Sequence, residues 1–306
     1  MPRLLVVPNP VPESSARSGG ARTENPTATS PLGGVRGSMS PLRAWHRLVM
    51  ANFETLAVSV DDTLGRIQLN RPAQLNPLST TCLRELVAAA DWFDSHDEVR
   101  VVIVHGAGRA FCAGADLASF GDPAGPLPRD AADAGREMAE AIEAMRAVTI
   151  AAVHGHCVGG GVVLAAACDL RIAAESTRFS IPEVDLGIPL AWGGIQRLVR
   201  EIGPAATREL VLTCRPFSAA EAKALGMLNT IAADGEHLVE AQTLAENVAA
   251  KSRLTLRATL MAVDAAAEAL VPTGTAWGDA DALINAMHDP ESRAAGQEYL
   301  RARGRR

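Results

Sequence analysis

Lysine is almost missing from this chain of 306 residues. Lys223 and Lys251 are the only two, and arginine carries nearly all the positive charge. With a formal net charge of -6 and an isoelectric point near 5.7, the chain lacks the overall basic field that draws nucleic acid or an anionic membrane surface. Cysteine is sparse too: Cys82, Cys112, Cys157, Cys168 and Cys214 are odd in number, widely spaced and without a C-x-x-C pair. That pattern argues against a disulfide framework and against a zinc site. Free thiols suit a reducing compartment, and the cytoplasm is the expected location. No run of about 18 uninterrupted apolar residues occurs, so no membrane span is expected. Nor is there a G-x-S-x-G elbow, a G-x-x-x-x-G-K-[ST] loop, or a G-x-G-x-x-G following a strand. Serine-hydrolase, P-loop and dinucleotide-binding chemistry therefore go unsupported.

What is present suits a folded enzyme. Hydrophobic residues make up 48% and charged residues 21%, enough to bury a sizeable core. Residues 1–50 are different in kind, rich in Pro, Gly and Ser with few apolar anchors, and they read as a disordered extension. Leu4 to Val7 is too short for a signal-peptide core, and Met39 or Met50 would serve as later translation starts. Thr55 to Val60 and Leu64 to Asn70 flank Asp61-Asp62 as a hairpin. Ser79 offers an N-cap for an amphipathic helix to about Ser95, with Leu83, Leu86 and Val87 on one face. Val99 to Val104, Ile150 to Val153 and Asp169 to Ala173 read as strands, and a helix starts near Gly161. Asp130 to Arg146 reads as a helix whose apolar face carries Met138, Ile142 and Met145. Strands alternating with helices predict an α/β layered core over 51–200. Beyond Ala191 the pattern is almost wholly helical, with Pro204, Ser218 and Asp289-Pro290 as start signals, giving a helical region over 201–306.

Two loops carry the chemistry. One runs from His105 to Leu117 after the strand at Val99–Val104, and the other runs from His154 to Leu164 after the strand at Ile150–Val153. In each, a buried strand ends in small residues, and in the second the triplet Gly159-Gly160-Gly161 opens a helix. Glycines admit a ligand close to the backbone, and a helix start presents unpaired N–H groups. Two such loops on neighbouring strands could aim two amides at one oxygen, the arrangement that stabilises an enolate or tetrahedral oxyanion. The plainer reading of the triplet is a tight strand-to-helix turn.

Taken together, the motifs resemble those of the enoyl-CoA hydratase/isomerase (crotonase) family. The matching pieces are Asn70-Arg71-Pro72 with Asn76-Pro77-Leu78, Ala110 to Leu117, Gly155 to Gly161, Phe179 to Gly187, Gly193 to Leu198, and Cys214 to Gly226. The resemblance implies a spiral β-β-α core followed by helices that assemble trimers or dimers of trimers. It implies an acyl-CoA thioester as substrate, with coenzyme A entering as part of that substrate and no separate cofactor or metal. By motif position the oxyanion amides are those of Ala115 and Gly160, and Glu183 is the proton-transfer acid. Asn70, Arg71, Ala73 and Leu75 would lie against the coenzyme A moiety, with Ala113 near its adenine or pantetheine. Gly114, Asp116, Leu117, Gly159, Val163, Pro182 and Trp192 complete the expected substrate-binding set.

One position departs from the pattern. Hydratases of the family usually carry a second glutamate two residues after the glycine triplet, and here that residue is Val163. Hydration divides water activation and proton delivery comfortably between two acids, and losing one typically costs about 10²–10⁴-fold in rate. Isomerisation of a 3-enoyl thioester needs only one carboxylate, which takes a proton from C2 and returns it at C4. The aspartate of dienoyl isomerases is also missing, its position being occupied by Ala191. These residues fit double-bond isomerisation best. Hydration with reduced machinery, another enolate-based reaction such as thioester hydrolysis or decarboxylation, and acyl-CoA binding without turnover stay open. Asp116 is expected to cap a following helix and Asp185 to be structural. His154, His156, Cys112 and Cys157 are expected to pack beneath the loops rather than form a nucleophile or metal site. Trp192 is either core or a wall of the acyl pocket, and Phe120 with Gly121 to Pro128 reads as a surface loop over that pocket.

Overall fold

The computed structural model describes residues 49–116, 128–302 and 304. The expected extension up to residue 48, Leu117, Phe120 and the stretch from Gly121 to residue 127 lie outside them.

The hairpin forms where the alternation predicts it. Strands β2 (Leu56–Asp61) and β3 (Leu64–Leu69) pair antiparallel with Asp61 opposite Leu64, and Asp62 takes the left-handed conformation that a turn aspartate tolerates. A further strand not foreseen in the sequence, β1 (Val49–Asn52), adds antiparallel to β2. Helix α1 (Thr80–Asp94) begins at Ser79, whose hydroxyl accepts the Cys82 amide at 3.2 Å. Leu83 and Leu86 are fully buried beneath it.

Strand β4 (Val101–Gly106) is buried at all six positions, as a parallel strand covered on both faces should be. Val102 and Val104 face the cluster beneath α1 and α2 (Arg129–Glu143), while Val101 and Ile103 face the alanines of α6 (His237–Ala249). Each such side chain contributes about 1.5–3 kcal/mol. Strands β5 (Val148–Val153), β7 (Leu170–Ala174) and β10 (Thr230–Ala232) continue the sheet in parallel, giving the order β1-β2-β3-β4-β5-β7-β10.

A second, smaller sheet takes β6 (His156–Val158), β8 (Arg178–Ser180) and β9 (Phe217–Ser218). Cys112 bridges Cys157 at its side. After β4, β5 and β7 alike, the chain thus lays a short extended piece (Cys112, β6, β8) beside the previous one. Each pass adds a long strand to one sheet and a short one to the other. This is the expected β-β-α spiral.

Helices dominate the remainder: α3 (Gly160–Ala166), α4 (Gly194–Thr213), α5 (Ala219–Ala224), α7 (Arg253–Leu270), α8 (Asp279–His288) and α9 (Pro290–Ala302). Ser218 caps α5 through the Glu221 amide at 3.2 Å. Gly203 breaks the helical path of α4, so Pro204 opens its second half. The expectation of an almost wholly helical chain beyond Ala191 needs correction at β9 and β10. These two- and three-residue strands are too short to show alternation, and pairing with β8 and β7 defines them.

Candidate active site

Strands β4 and β5 run parallel with His105 opposite Ala152, so the two glycine-bearing loops leave the sheet side by side. They are zipped together by Phe111 N–H to His154 O at 2.8 Å, Cys112 N–H to His156 O at 3.0 Å and Val158 N–H to Cys112 O at 3.0 Å. On its other side the first loop bridges Leu78, through Leu78 N–H to Gly114 O at 2.8 Å and Asp116 N–H to Leu78 O at 2.9 Å. Such a bridge uses the groups of residues 114 and 116 and turns the amide of Ala115 the opposite way. A Cβ placed on Gly114 would lie 2.9 Å from Val158 O and 3.8 Å from the Gly160 nitrogen. Gly160 is the first residue of α3, where helical amides have no partner within the helix. Neither the Ala115 nor the Gly160 amide donates to a backbone oxygen among the described residues.

Glu183 stands in the turn between β8 and α4, closed by Leu186 N–H to Pro182 O at 3.0 Å and Ile188 N–H to Glu183 O at 2.9 Å. Its carboxylate reaches the glycine triplet, because a Cβ on Gly159 would fall 2.2 Å from Oε1. Gly159 also has a φ of +50°, so glycine answers both the backbone shape and the close approach. Although the residue as a whole is half-buried, Oε2 is shielded from solvent and has no hydrogen-bond partner among the described residues. Burial pushes the Glu183 carboxyl up to about 7, partly offset by its own backbone amide. Helix α9 backs the turn: Ser292 O lies 2.0 Å from a Cβ built on Gly187, and Leu186 O lies 2.6 Å from one built on Gly296. Val163, 1% exposed, accompanies the triplet one turn into α3 and brings no polar atom.

Arg71 forms a half-exposed ion pair with Asp116 at 2.9 Å, and the segment after Asp116, where the expected cap would act, lies outside the described residues. Ala73 is exposed on the 3₁₀ turn Pro72–Gln74, and Leu75, at φ +65°, accepts the Ala113 amide at 2.9 Å. Pro182 and Trp192 are buried. Asp185 is exposed, with its amide on Cys214 Sγ at 3.4 Å. Cys112 and Cys157 are fully buried, and burial raises the Cys112 thiol to about 12 and that of Cys157 well above its usual value. Neither is poised as a thiolate. His154 donates from Nε2 to Gly108 O at 2.9 Å, tying the two loops, while His156 is exposed.

Asn76 is the residue whose role the sequence did not reveal. It is 2% exposed. Its Nδ2 donates to Ala107 O and Ala110 O, both at 2.8 Å, and its Oδ1 accepts the Arg71 amide at 3.0 Å. It thereby clamps the first loop to the Arg71 turn. Its place in the Asn-Pro-Leu motif was visible; the carbonyls it binds, over thirty residues away, were not.

Comparison with known proteins agrees with the family that the motifs resemble. The family model described as enoyl-CoA hydratase/isomerase matches residues 59–303. A probable enoyl-CoA hydratase of Mycobacterium bovis is 36% identical over 224 residues, covering 72% of this chain and 86% of its own. The peroxisomal Delta(3,5)-Delta(2,4)-dienoyl-CoA isomerase of Arabidopsis thaliana is 36% identical over 229 residues, covering 69% and 82%. Among solved structures, an enoyl-CoA hydratase/isomerase of Xanthobacter autotrophicus Py2 superposes with a TM-score of 0.74 at 28% identity, covering 83% of this chain and 95% of its own. The chain belongs to the enoyl-CoA hydratase/isomerase family.

Proposed function

We propose that the protein moves the double bond of an unsaturated acyl-CoA from the 3,4 to the 2,3 position. The observation that carries this reading is one carboxylate, Glu183, that reaches the glycine triplet with Oε2 shielded from solvent, with Val163 where a second acid would stand. The amides of Ala115 and Gly160 donate hydrogen bonds to the thioester carbonyl oxygen and stabilise the dienolate. Glu183 removes a proton from C2 and returns it at C4. A carboxyl near 7 suits both halves of that shuttle, since it exchanges protons at little cost near neutral pH. Arg71, Ala73, Leu75 and Ala113 line the approach for the coenzyme A moiety, and no cofactor enters the reaction. Hydration by Glu183 alone is the second reading, favoured by the hydratase name of the Mycobacterium bovis relative.

Helix α7 has no buried residue and exposes Leu254, Met261, Val263 and Leu270. That supports assembly into a trimer or a dimer of trimers through this face. Among the described residues no helix is long and apolar enough to cross a membrane. The five free, buried cysteines suit the cytoplasm.

Mass spectrometry of 3-enoyl-CoA and 2-enoyl-CoA incubated in deuterated water separates the readings. Isomerisation incorporates deuterium without added oxygen mass, whereas hydration adds the mass of water. Predominant water addition to 2-enoyl-CoA with no shift of the 3-enoyl bond would overturn the isomerase reading.

A further inference from the structure

We infer that Trp192 is a specificity-determining wall that restricts the acyl group to short chains, of about six carbons or fewer. This rests on the oxyanion role of Gly160 proposed above.

The indole stands between two glycines on different helices. A Cβ placed on Gly160 would lie 2.3 Å from Cζ3 of Trp192, and one placed on Gly135 of α2 would lie 2.0 Å from Cδ2. The benzo edge of the ring therefore touches the residue whose amide meets the thioester, while the pyrrole side lies flush on α2. Glycine in a helix interior costs roughly 0.5–1 kcal/mol relative to alanine. At position 135 it makes room for this ring. Met138 and Val163, one helical turn from the two glycines, are buried in the same apolar cluster.

The wall is fixed rather than mobile. Trp192 is 5% exposed and has a φ of +65°, a region that bulky residues rarely occupy. Such strain persists only where the surroundings impose it, and it concentrates at functional sites. Here Gly193 N–H donates to Asp279 Oδ2 at 2.8 Å, and Arg197 Nη1 donates to the carbonyls of Trp192 and Gly193, each at 3.3 Å. Arg197 is itself anchored by Glu143. With ordinary bond and hydrogen-bond lengths, the ring edge stands no more than about 8 Å from the thioester oxygen, the span of about six extended carbon–carbon bonds. A longer chain on this side meets the indole.

The test measures kcat/KM for 3-enoyl-CoAs of increasing chain length, and Kd by calorimetry for saturated acyl-CoAs of the same lengths. Both series are run on wild type, Trp192→Gly and Trp192→Phe. Glycine accepts the positive φ, and phenylalanine keeps the core filled should the glycine variant fail to fold. Wild type should favour chains up to about six carbons, and Trp192→Gly should raise the long-to-short ratio at least about tenfold, with Trp192→Phe between them. Wild type that binds and turns over ten-carbon chains as well as four-carbon chains would overturn the inference. So would a length profile unchanged in both variants. A length cut-off in binding without any enoyl turnover would sink the isomerase reading and leave this one standing; turnover with a flat length profile would do the reverse.

Discussion

At the scale of the residue, the proposed chemistry rests on positions that short motifs single out and on one whose contacts they conceal. Glu183, Ala115, Gly160 and the apolar Val163 could be singled out because each sits inside a short motif that resembles the family's, and their proposed roles follow from that resemblance. Asn76 was not, because its function is a set of hydrogen bonds to carbonyls distant in the chain. Replacing it by alanine leaves the Ala107 and Ala110 carbonyls without their buried donor, which costs about 1–3 kcal/mol. Asn76→Ala should therefore lower the denaturant midpoint, and it should reduce kcat more than it weakens acyl-CoA binding, since the loop it clamps carries one of the proposed oxyanion amides. Unchanged stability would show that water replaces the amide without loss.

At the scale of the element, long strands and helices followed from periodicity, while β1, β6, β8, β9 and β10 were beyond reach. Those segments are two to four residues long, and partners supply their structure. The contact of α6 with the sheet carries a consequence of its own. His105 of β4, His154 after β5 and His237 of α6 gather there, with the His154 and His237 rings stacked at 4.6 Å. Burial lowers His105 and His237 to about 4; Arg66 and the neighbouring histidines add to the effect at His105 and His154 adds to it at His237, while Asp234 opposes it there. The fold thus favours neutral rings, so the unfolded chain binds more protons as pH drops below its ordinary histidine pKa. Stability from this contact is present above about 6.5 and is lost on acidification toward about 4. Denaturant unfolding of wild type and His237→Leu between pH 7 and 4.5 should show a smaller acid loss in the variant. Equal losses would mean that other groups govern the acid limb.

At the scale of the whole molecule, the spiral brings both loops, the Glu183 turn and α9 together, yet among the described residues Leu254, Met261, Val263 and Leu270 of α7 stay exposed. The helical pattern beyond Ala191 covers this segment, but that no described residue buries this face became evident only from the packing. Paired Leu254→Glu and Met261→Glu substitutions should convert a trimer or hexamer to smaller species in sedimentation velocity; a wild-type monomer would refute assembly through this face. Proton transfer by one carboxylate is tested most directly by the rate of 3-enoyl-CoA isomerisation against pH, in wild type and Glu183→Gln. Wild-type kcat/KM should rise with pH through about 7 as Glu183 ionises, and Glu183→Gln should fall by about 10²–10⁴-fold while still binding acyl-CoA. A Glu183→Gln enzyme that keeps its rate and the same pH profile would contradict it.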